Sequence, residues 1–403
     1  MSKGANLAEM PRPVRSRGRL ILFVWDAGGD IGGGQKVLLD LLDALRGRFD
    51  ALVGLPPQSP LRPVIEGKGF ETVGIQIGEY SQGRKGLKDL FRFVCDLPSS
   101  VVKGWRAGKE VSVIYANHPR ILPQAAVLGR VRGLPVIWHV HHIFVDSRAL
   151  AMATLFSRMG SVRRLVCVSK RVASQFPPAV REKVRVVYNG VDTERFKFRP
   201  QERERVRKEW GIPSSAKVVA IVGRITPLKG HDVFVKSAER VLRREKEVVF
   251  VVVGEAASDP KSKGFLKRLL RMVDERGLGS KILFVGFRGD MPAVMSAIDI
   301  LVVASVGEEG CPMAILEAMS CGRPVVAPDI EGVREVVVRG RTGLLFRPGL
   351  ASDLSEKLSF LLREGGLMEE MGKAGRKVVE ERFSLEHFRK GILRVIEEVV
   401  RGG

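Results

Sequence analysis

Cysteine is scarce in this chain, and its positions exclude two common uses of the residue. The 403 residues include four cysteines, which are widely separated and form no CxxC pair: Cys95, Cys167, Cys311 and Cys321. A disulfide scaffold and a zinc-finger site both need more, or closer, cysteines. We therefore expect a protein of a reducing compartment and place it in the cytoplasm.

Long apolar runs are also missing. No uninterrupted apolar stretch approaches the roughly 18 residues that a membrane-spanning helix needs. The run at residues 20–25 is too short for the core of a signal peptide, and Asp26 ends it. We interpret this run as a first buried strand, and residues 1–18 as a flexible basic tail.

Acidic residues are too few to balance the basic ones. The formal net charge is +22; residues 1–200 carry 32 Lys and Arg against 16 Asp and Glu, whereas residues 201–403 carry 35 against 29. The excess in the first half indicates an anionic partner, such as nucleic acid, a lipid surface or an acidic acceptor. The alternative is a solvated surface with a general basic bias.

One basic segment carries apolar residues between its charges. Leu87, Leu90 and Phe91 alternate with Lys88 and Arg92 in this segment. An amphipathic basic segment can lie on an anionic membrane surface, here the inner face. Packing of the apolar side on a sheet explains the pattern equally well.

Short apolar runs alternate with helical patterns along the chain, which is typical of parallel, doubly wound sheets. The charged stretch at residues 197–207 contains Pro200 and marks the predicted boundary between two α/β domains. We assign residues 19–200 to the first domain, 201–383 to the second and 384–403 to a final helix.

The most informative stretch is EGCPMAILEAMSCG, at residues 309–322. Pro312 fits a first helical position, and Gly322 fits a helix end. The N-terminus of such a helix attracts phosphate. Glu309 could then bind the hydroxyls of a sugar and Glu317 a ribose diol, although two solvated glutamates are the alternative.

Other polar residues stand where ligands bind in doubly wound sheets, beyond the carboxyl ends of strands. Glycine-rich residues 28–34 separate the first strand from a helix predicted from Gln35, but they lack the GxGxxG and GxxxxGK[ST] spacings. Two further strands end in Asn117-His118 and in His139-Val-His141, and alternation places His139 and His141 on one face.

Several motifs occur in a consistent order: the glycine-rich loop, a histidine after the fifth strand, LVCVSK, VYNGVD, GRxxxxKG, and E-x7-E within EGxxxxxLEAMxxGxPVVA. Together they resemble the retaining family 4 glycosyltransferases (glycosyl transferases group 1). The resemblance covers nearly the whole chain after Gly18. It implies the GT-B fold, in which two Rossmann-like domains face a cleft and the last helix crosses back to the first domain.

The resemblance also implies the site residues. The implied catalytic residues are His141, Arg224, Lys229 and Glu309. The implied donor-binding residues are Gly33, Gly34, Arg224, Lys229, Val285, Gly286, Glu309, Gly310, Cys311, Met313, Ala314 and Glu317. The candidates on the acceptor side are Asp30, Asn117, His118 and His139.

The sequence departs from the family pattern at two positions. Pro312 stands where many relatives carry glycine, so that position offers no backbone N–H. Glu331 stands where glycine is common in a GGxxE turn, which puts a close backbone approach there in question.

The expected function is transfer of a sugar, with retention, from a nucleotide-diphosphate sugar to an acceptor hydroxyl. We expect a glycan or lipid-linked acceptor in cell-surface glycan or glycolipid synthesis, no cofactor and no metal, since a DxD triplet is absent. One alternative is another GT-B enzyme, a phosphorylase or a sugar-nucleotide epimerase. The other is a non-enzymatic protein that binds nucleic acid or a membrane surface, although no nucleic-acid motif occurs.

Overall fold

The structure is a computed structural model that describes residues 20–28, 32–76, 98–106 and 110–402. These residues form two parallel sheets, each covered by helices on both faces. Asp30 and the basic amphipathic segment around Phe91 lie outside the described residues, so the expectations for both remain predictions.

The first sheet has seven strands in the order β3-β2-β1-β4-β5-β6-β7, and all its pairs are parallel. Its strands are Ile21–Trp25 (β1), Asp50–Leu55 (β2), Glu71–Gly74 (β3), Val113–Ala116 (β4), Val136–Val140 (β5), Val162–Cys167 (β6) and Val184–Val186 (β7). The strand order reverses between β1 and β4, which makes the ends of these two strands a topological switch point.

The second sheet has six parallel strands in the order β10-β9-β8-β11-β12-β13. Its strands are Lys217–Val222 (β8), Val248–Val253 (β9), Ile282–Phe284 (β10), Ile300–Val302 (β11), Val325–Pro328 (β12) and Gly343–Phe346 (β13). Here the order reverses between β8 and β11. The expected α/β class with two doubly wound sheets is confirmed.

Helices connect the strands within each sheet. Those of the first domain are Gly33–Leu45, Arg62–Gly67, residues 98–106, Leu122–Arg132, Ser147–Arg158, Lys170–Ser174 and Pro178–Arg181. Those that follow β7 are Pro200–Glu209, His231–Leu242, Pro260–Glu275, Met291–Ala297, Met313–Ser320, Glu331–Arg334, Ala351–Arg363, Gly365–Arg382 and Leu385–Arg401.

The alternation of side chains along β1 explains how the first sheet is covered. Leu22 and Val24 belong to a core that includes residues of Gly33–Leu45 and of Leu385–Arg401. Phe23 and Trp25 point to the opposite face and join a second core with residues of the helix Leu122–Arg132. The last helix of the chain therefore packs on the first sheet.

Two helix starts differ from the sequence-based expectation. The helix predicted from Gln35 begins at Gly33, because the Gln35 side chain accepts a hydrogen bond from the Gly32 N–H and caps the first turn. Pro312 is the residue before the helix Met313–Ser320 rather than its first residue, since its ψ of 112° is extended.

Candidate active site

The candidate site lies where the two switch points bring loops together. From the first sheet come Asp26, directly after β1, and Asn117, directly after β4. From the second sheet come the loop after β8, with Arg224 and Lys229, and the loop after β11, with Glu309. Crevices of this kind are the usual ligand sites of doubly wound sheets.

Glu309 is held by two side chains of its own domain. Its Oε1 lies 2.5 Å from Lys229 Nζ and accepts a hydrogen bond from Ser305 Oγ at 2.5 Å. The two donors fix the carboxylate beside a cation, just before the N-terminus of Met313–Ser320. The predicted pair Lys229 and Glu309 is thus brought together, whereas Arg224 is exposed on the same loop as Lys229.

Glu317 lies inside that helix and is only 3% exposed. Its Oε1 lies 3.0 Å from Nζ of Lys36, which belongs to the first domain. Gly33 lies one turn before Lys36, and a Cβ added to it would stand 3.8 Å from Met313 Cγ. Two helix N-termini, those of Gly33–Leu45 and Met313–Ser320, therefore face each other across the cleft.

Close backbone contacts also join the domains. A Cβ added to Gly310 would stand 2.9 Å from the backbone oxygen of His141, which belongs to the opposite domain. Within the second domain, a Cβ added to Gly332 would stand 1.8 Å from the backbone oxygen of Glu309. The close approach that Glu331 put in question therefore takes place one residue later, at Gly332.

His141 follows β5, is partly buried, and forms a hydrogen-bonded chain with the buried side chains of Asn117 and Asp26. Its Nε2 lies 2.9 Å from Asn117 Oδ1, and Asn117 Nδ2 donates to Asp26 Oδ2 at 2.7 Å. Burial, with a smaller contribution from the neighbouring His142, lowers the pKa of His141 to about 3. The ring is therefore neutral at physiological pH.

His139 lies inside β5 on the same face as His141, and their ring centroids are 4.1 Å apart. It is fully buried, its Nδ1 lies 2.8 Å from the Tyr115 hydroxyl, and its ring is stacked on Phe388 of the last helix. Burial holds its pKa well below the ordinary value. His139 thus supports the strand end rather than facing the cleft.

Glu335 links the two domains at a second place. Its carboxylate accepts hydrogen bonds from the backbone N–H of Lys170 at 2.8 Å and of Arg171 at 2.7 Å, and from the Tyr188 hydroxyl at 2.7 Å. Lys170 and Arg171 are the first two residues of the helix Lys170–Ser174, and the free N–H groups at a helix N-terminus favour a carboxylate. Arg171 adds an ion pair to Glu331 at 3.1 Å.

The remaining predicted residues have varied settings. Gly286 has a φ of +73°, a backbone conformation that favours glycine. It lies next to Val285 in the turn after β10. Cys311 is buried, and burial raises its pKa to about 12, so its thiol is not a nucleophile. His118 Nδ1 accepts the N–H of Arg120 at 3.2 Å.

Sequence reasoning missed Asp26, Lys36 and the role of Glu335. Asp26 had the same signal as Asn117, because both are polar residues directly after a buried strand. Lys36 stands three residues after Gly33 in the glycine-rich motif, but its partner belongs to the other domain.

Comparison with known proteins identifies the family. A family model described as "Glycosyltransferase Family 4" matches residues 31–195, and one described as "Glycosyl transferases group 1" matches residues 202–378. A D-inositol 3-phosphate glycosyltransferase of Actinosynnema mirum is 35% identical over 394 residues, which cover 91% of this chain and 92% of the relative. The chain belongs to the group 1 glycosyltransferases. This glycosyltransferase also matches parts of other relatives.

Two such relatives are matched over about half their length. A 2-deoxystreptamine glucosyltransferase of Streptomyces kanamyceticus is 30% identical over 60% of this chain and 58% of the relative. A D-inositol 3-phosphate glycosyltransferase of Nocardia farcinica is 33% identical over 53% of this chain and 47% of the relative.

Solved structures confirm the GT-B fold of this glycosyltransferase. Anabaena Alr3699/HepE, solved in complex with UDP-glucose, superposes with a TM-score of 0.83 at 24% identity and covers 94% of this chain and 100% of its own. Sucrose-phosphate synthase of Thermosynechococcus elongatus gives a TM-score of 0.78 at 20% identity, and the match covers 96% of this chain and 100% of the synthase chain. Among the helices that the structure describes, none has the length and apolarity of a membrane span.

Proposed function

We propose that this glycosyltransferase moves a sugar from a nucleotide-diphosphate sugar to an acceptor hydroxyl, with Glu309, Lys229 and Glu317 in the donor site. The observation that carries the proposal is the arrangement around the helix Met313–Ser320: a carboxylate held beside a cation at its start and a nearly buried carboxylate inside it.

The helix N-terminus and the two cations suit the diphosphate. Negative charge develops on the β-phosphate as the glycosidic bond breaks, and fixed positive groups stabilise it. Lys229 lies within the site, Arg224 is on the same loop, and the backbone N–H groups of Met313 and Ala314 supply the helix end. With this much positive charge, the proposed reaction needs no metal and no cofactor.

The proposed donor is a uridine nucleotide sugar. Its support is the similarity to Alr3699/HepE, whose structures hold UDP-glucose or UDP. In this proposal Glu317 binds the ribose diol, which takes the place of the Lys36 ammonium beside this carboxylate. The backbone around Val285 and Gly286 borders the base.

We propose retention of configuration by attack from the face of the leaving group. Glu309 is hydrogen-bonded to Lys229 and Ser305 through one oxygen, so its charge is compensated and it is a weak nucleophile. Its proposed role is to orient the sugar hydroxyls. The anomeric configuration of the product, read by NMR, tests this step directly; an inverted product would contradict it.

The proposed acceptor is a lipid-linked or nascent cell-surface glycan, reached at an anionic membrane surface. The support is the excess of basic residues in the first 200 positions. Sedimentation with phosphatidylserine vesicles at low salt tests this part, and failure to sediment would contradict it.

The relative from Actinosynnema mirum favours a second acceptor, an inositol phosphate, which is also anionic. An acceptor panel that contains both classes separates the two proposals, because only the correct class accelerates release of the nucleoside diphosphate.

The transfer reaction is tested by incubating the protein with UDP-glucose and each acceptor class, and by measuring UDP release. We expect release in the wild type and a loss of about 100-fold or more in Glu309→Gln, since electrostatic groups at such sites contribute factors of this size. Glu356→Gln, on the exposed side of Ala351–Arg363, is the matched control and should retain full activity. Release of sugar 1-phosphate from the acceptor glycan, when inorganic phosphate is supplied in place of UDP-glucose, would instead favour a phosphorylase. Binding of RNA without any release would favour the non-enzymatic alternative.

A further inference from the structure

Asp26 ends the first strand as a buried carboxylate whose two oxygens are both used. It is 1% exposed. Its Oδ1 accepts the backbone N–H of Gly28 at 2.7 Å, and its Oδ2 accepts Asn117 Nδ2 at 2.7 Å. The mechanism proposed above assigns no task to Asp26, although a buried carboxylate is costly to maintain.

The carboxylate determines which way the Asn117 amide points. An ionised carboxylate accepts hydrogen bonds and cannot donate them, so the amide nitrogen must face Asp26. The amide oxygen then faces His141, whose Nε2 lies 2.9 Å away. An amide oxygen accepts only, so Nε2 must carry the proton of the neutral ring.

The other ring nitrogen is left as an acceptor. His141 Nδ1 is buried and has no hydrogen-bond partner among the described residues. The ring lies against Gly34, 3.6 Å from where its Cβ would stand, and the backbone of His141 lies against Gly310 of the other domain. This places an unsatisfied acceptor at the boundary between the two domains.

We propose that Asp26 and Asn117 are positioning residues that hold His141 in its Nε2–H form, so that Nδ1 accepts a hydrogen bond from a substrate hydroxyl. The substrate part of this inference rests on the proposed function, whereas the proton position does not. The opposite tautomer would set the Nε2 lone pair against the amide oxygen at 2.9 Å, two acceptors facing each other.

The electrostatic setting supports a single neutral form. Burial lowers the pKa of His141 to about 3, so the charged ring does not compete near neutral pH. The pKa of Asp26 is raised, because burial outweighs the bonds from Asn117 and Gly28 that lower it. The assignment of Asp26 as an acceptor therefore rests on the geometry, in which both of its oxygens accept hydrogen bonds.

The arrangement can be inverted and restored by exchanging amide and acid. In Asp26→Asn, the new amide oxygen keeps the Gly28 bond and its nitrogen faces Asn117. The Asn117 amide must then turn and present its nitrogen to His141, which moves the ring proton to Nδ1. In the double variant Asp26→Asn/Asn117→Asp, the new carboxylate accepts from both neighbours, and the Nε2–H form returns.

The test is NMR of protein labelled with ¹⁵N-histidine, in which the nitrogen shifts and two-bond couplings distinguish the tautomers. The signal that disappears in His141→Gln identifies the ring. We expect Nε2–H in the wild type, Nδ1–H in Asp26→Asn and Nε2–H again in the double variant. The signal of His387, in the last helix with Ser384 as its neighbour, should stay unchanged throughout.

An Nδ1–H form in the wild type, or an unchanged tautomer in Asp26→Asn, would overturn the proposal. If Asp26→Asn does not fold, Asn117→Ala replaces it: loss of the acceptor at Nε2 should give a mixture of tautomers, and a pure Nε2–H form would contradict us. The spectra need no substrate, so they succeed or fail independently of the transfer reaction.

Turnover then tests the substrate contact. We expect Asp26→Asn to lower kcat by about tenfold or more, as losses of an orienting partner do, and the double variant to regain most of it. KM for the donor should change little, because Lys229, Glu309 and Glu317 are untouched. An equal loss of kcat in Asp26→Asn and in the double variant would show that these residues act on stability alone.

Discussion

Glu335 provides the most quantitative prediction about how the two domains are held together. Glu335→Gln keeps the length of the side chain but replaces one carboxylate oxygen by a nitrogen that cannot accept. Three donors now use the two oxygens: the N–H groups of Lys170 and Arg171 and the Tyr188 hydroxyl. At least one of these bonds is lost, and the new NH₂ group faces a donor.

The expected size follows from the setting of these bonds. A hydrogen bond to a charged group contributes about 1.5–3 kcal/mol, and the lower end applies here because water reaches the helix start. A loss of about 1.5 kcal/mol changes the ratio of joined to separated states roughly tenfold. Since the two backbone donors are protected only while the domains are joined at this place, their amide exchange should accelerate by about the same factor.

Hydrogen exchange followed by mass spectrometry measures this in a peptide that covers Lys170 and Arg171. Tyr188→Phe, which removes one of the three bonds and keeps both backbone bonds, should accelerate exchange by a similar factor or less. Glu356→Gln, on an exposed helix surface, should not change it. Unaltered exchange in Glu335→Gln would refute the view that Glu335 joins the domains through this helix.

Three further predictions concern stability. Asp299→Asn should lower the free energy of unfolding in urea by about 3–5 kcal/mol, because Arg207, 3% exposed and 2.7 Å from Asp299, would remain buried without its countercharge. Gly332→Ala should lower the melting temperature and the rate of UDP release together, because its methyl group would collide with the Glu309 backbone oxygen. Hydrogen bonds from two arginines lower the pKa of Glu398 to about 2, so this carboxylate stabilises the fold above its ordinary pKa near 4.5. When the pH falls from 4.5 toward 2, protonation of Glu398 should lower the free energy of unfolding by no more than about 1 kcal/mol, since its ion pairs are partly exposed.

Each of these has its own control. An unfolding free energy of Asp299→Asn equal to that of Glu356→Gln would contradict the buried-pair argument. Gly340→Ala, at a turn where an added Cβ has open space but φ is +73°, measures the cost of backbone strain without collision. Gly332 has no positive φ, so its loss of stability should come from the collision alone. For the acid titration, Glu398→Gln should flatten this part of the profile; an identical slope in both proteins would assign the effect to other carboxylates.

The fold could be predicted in most respects from patterns within short stretches. The alternation of apolar runs and helical patterns gives parallel sheets, and the apolar run at residues 20–25 contains β1. Helix starts were less predictable because they depend on single side chains: the Gln35 amide moves one helix start to Gly33. Such local competition leaves no trace in apolar periodicity.

The site was predictable where its residues share one segment and unpredictable where they do not. Glu309 and Glu317 come from one stretch, so their spacing is visible. The partner of Glu317 is Lys36, which is 281 positions away in another domain. Their contact depends on how the domains face each other, a property that no local pattern encodes.

The most direct test of the central claim is a thermal-shift panel of UDP, GDP and ADP on the wild type and Glu317→Ala, with Glu356→Ala as the control. A nucleotide present at 100 times its dissociation constant stabilises the folded state by about 2.7 kcal/mol. We predict a selective rise in melting temperature with UDP that Glu317→Ala weakens and Glu356→Ala keeps. No rise with any nucleotide, or an equal rise in wild type and Glu317→Ala, would contradict the proposed donor site.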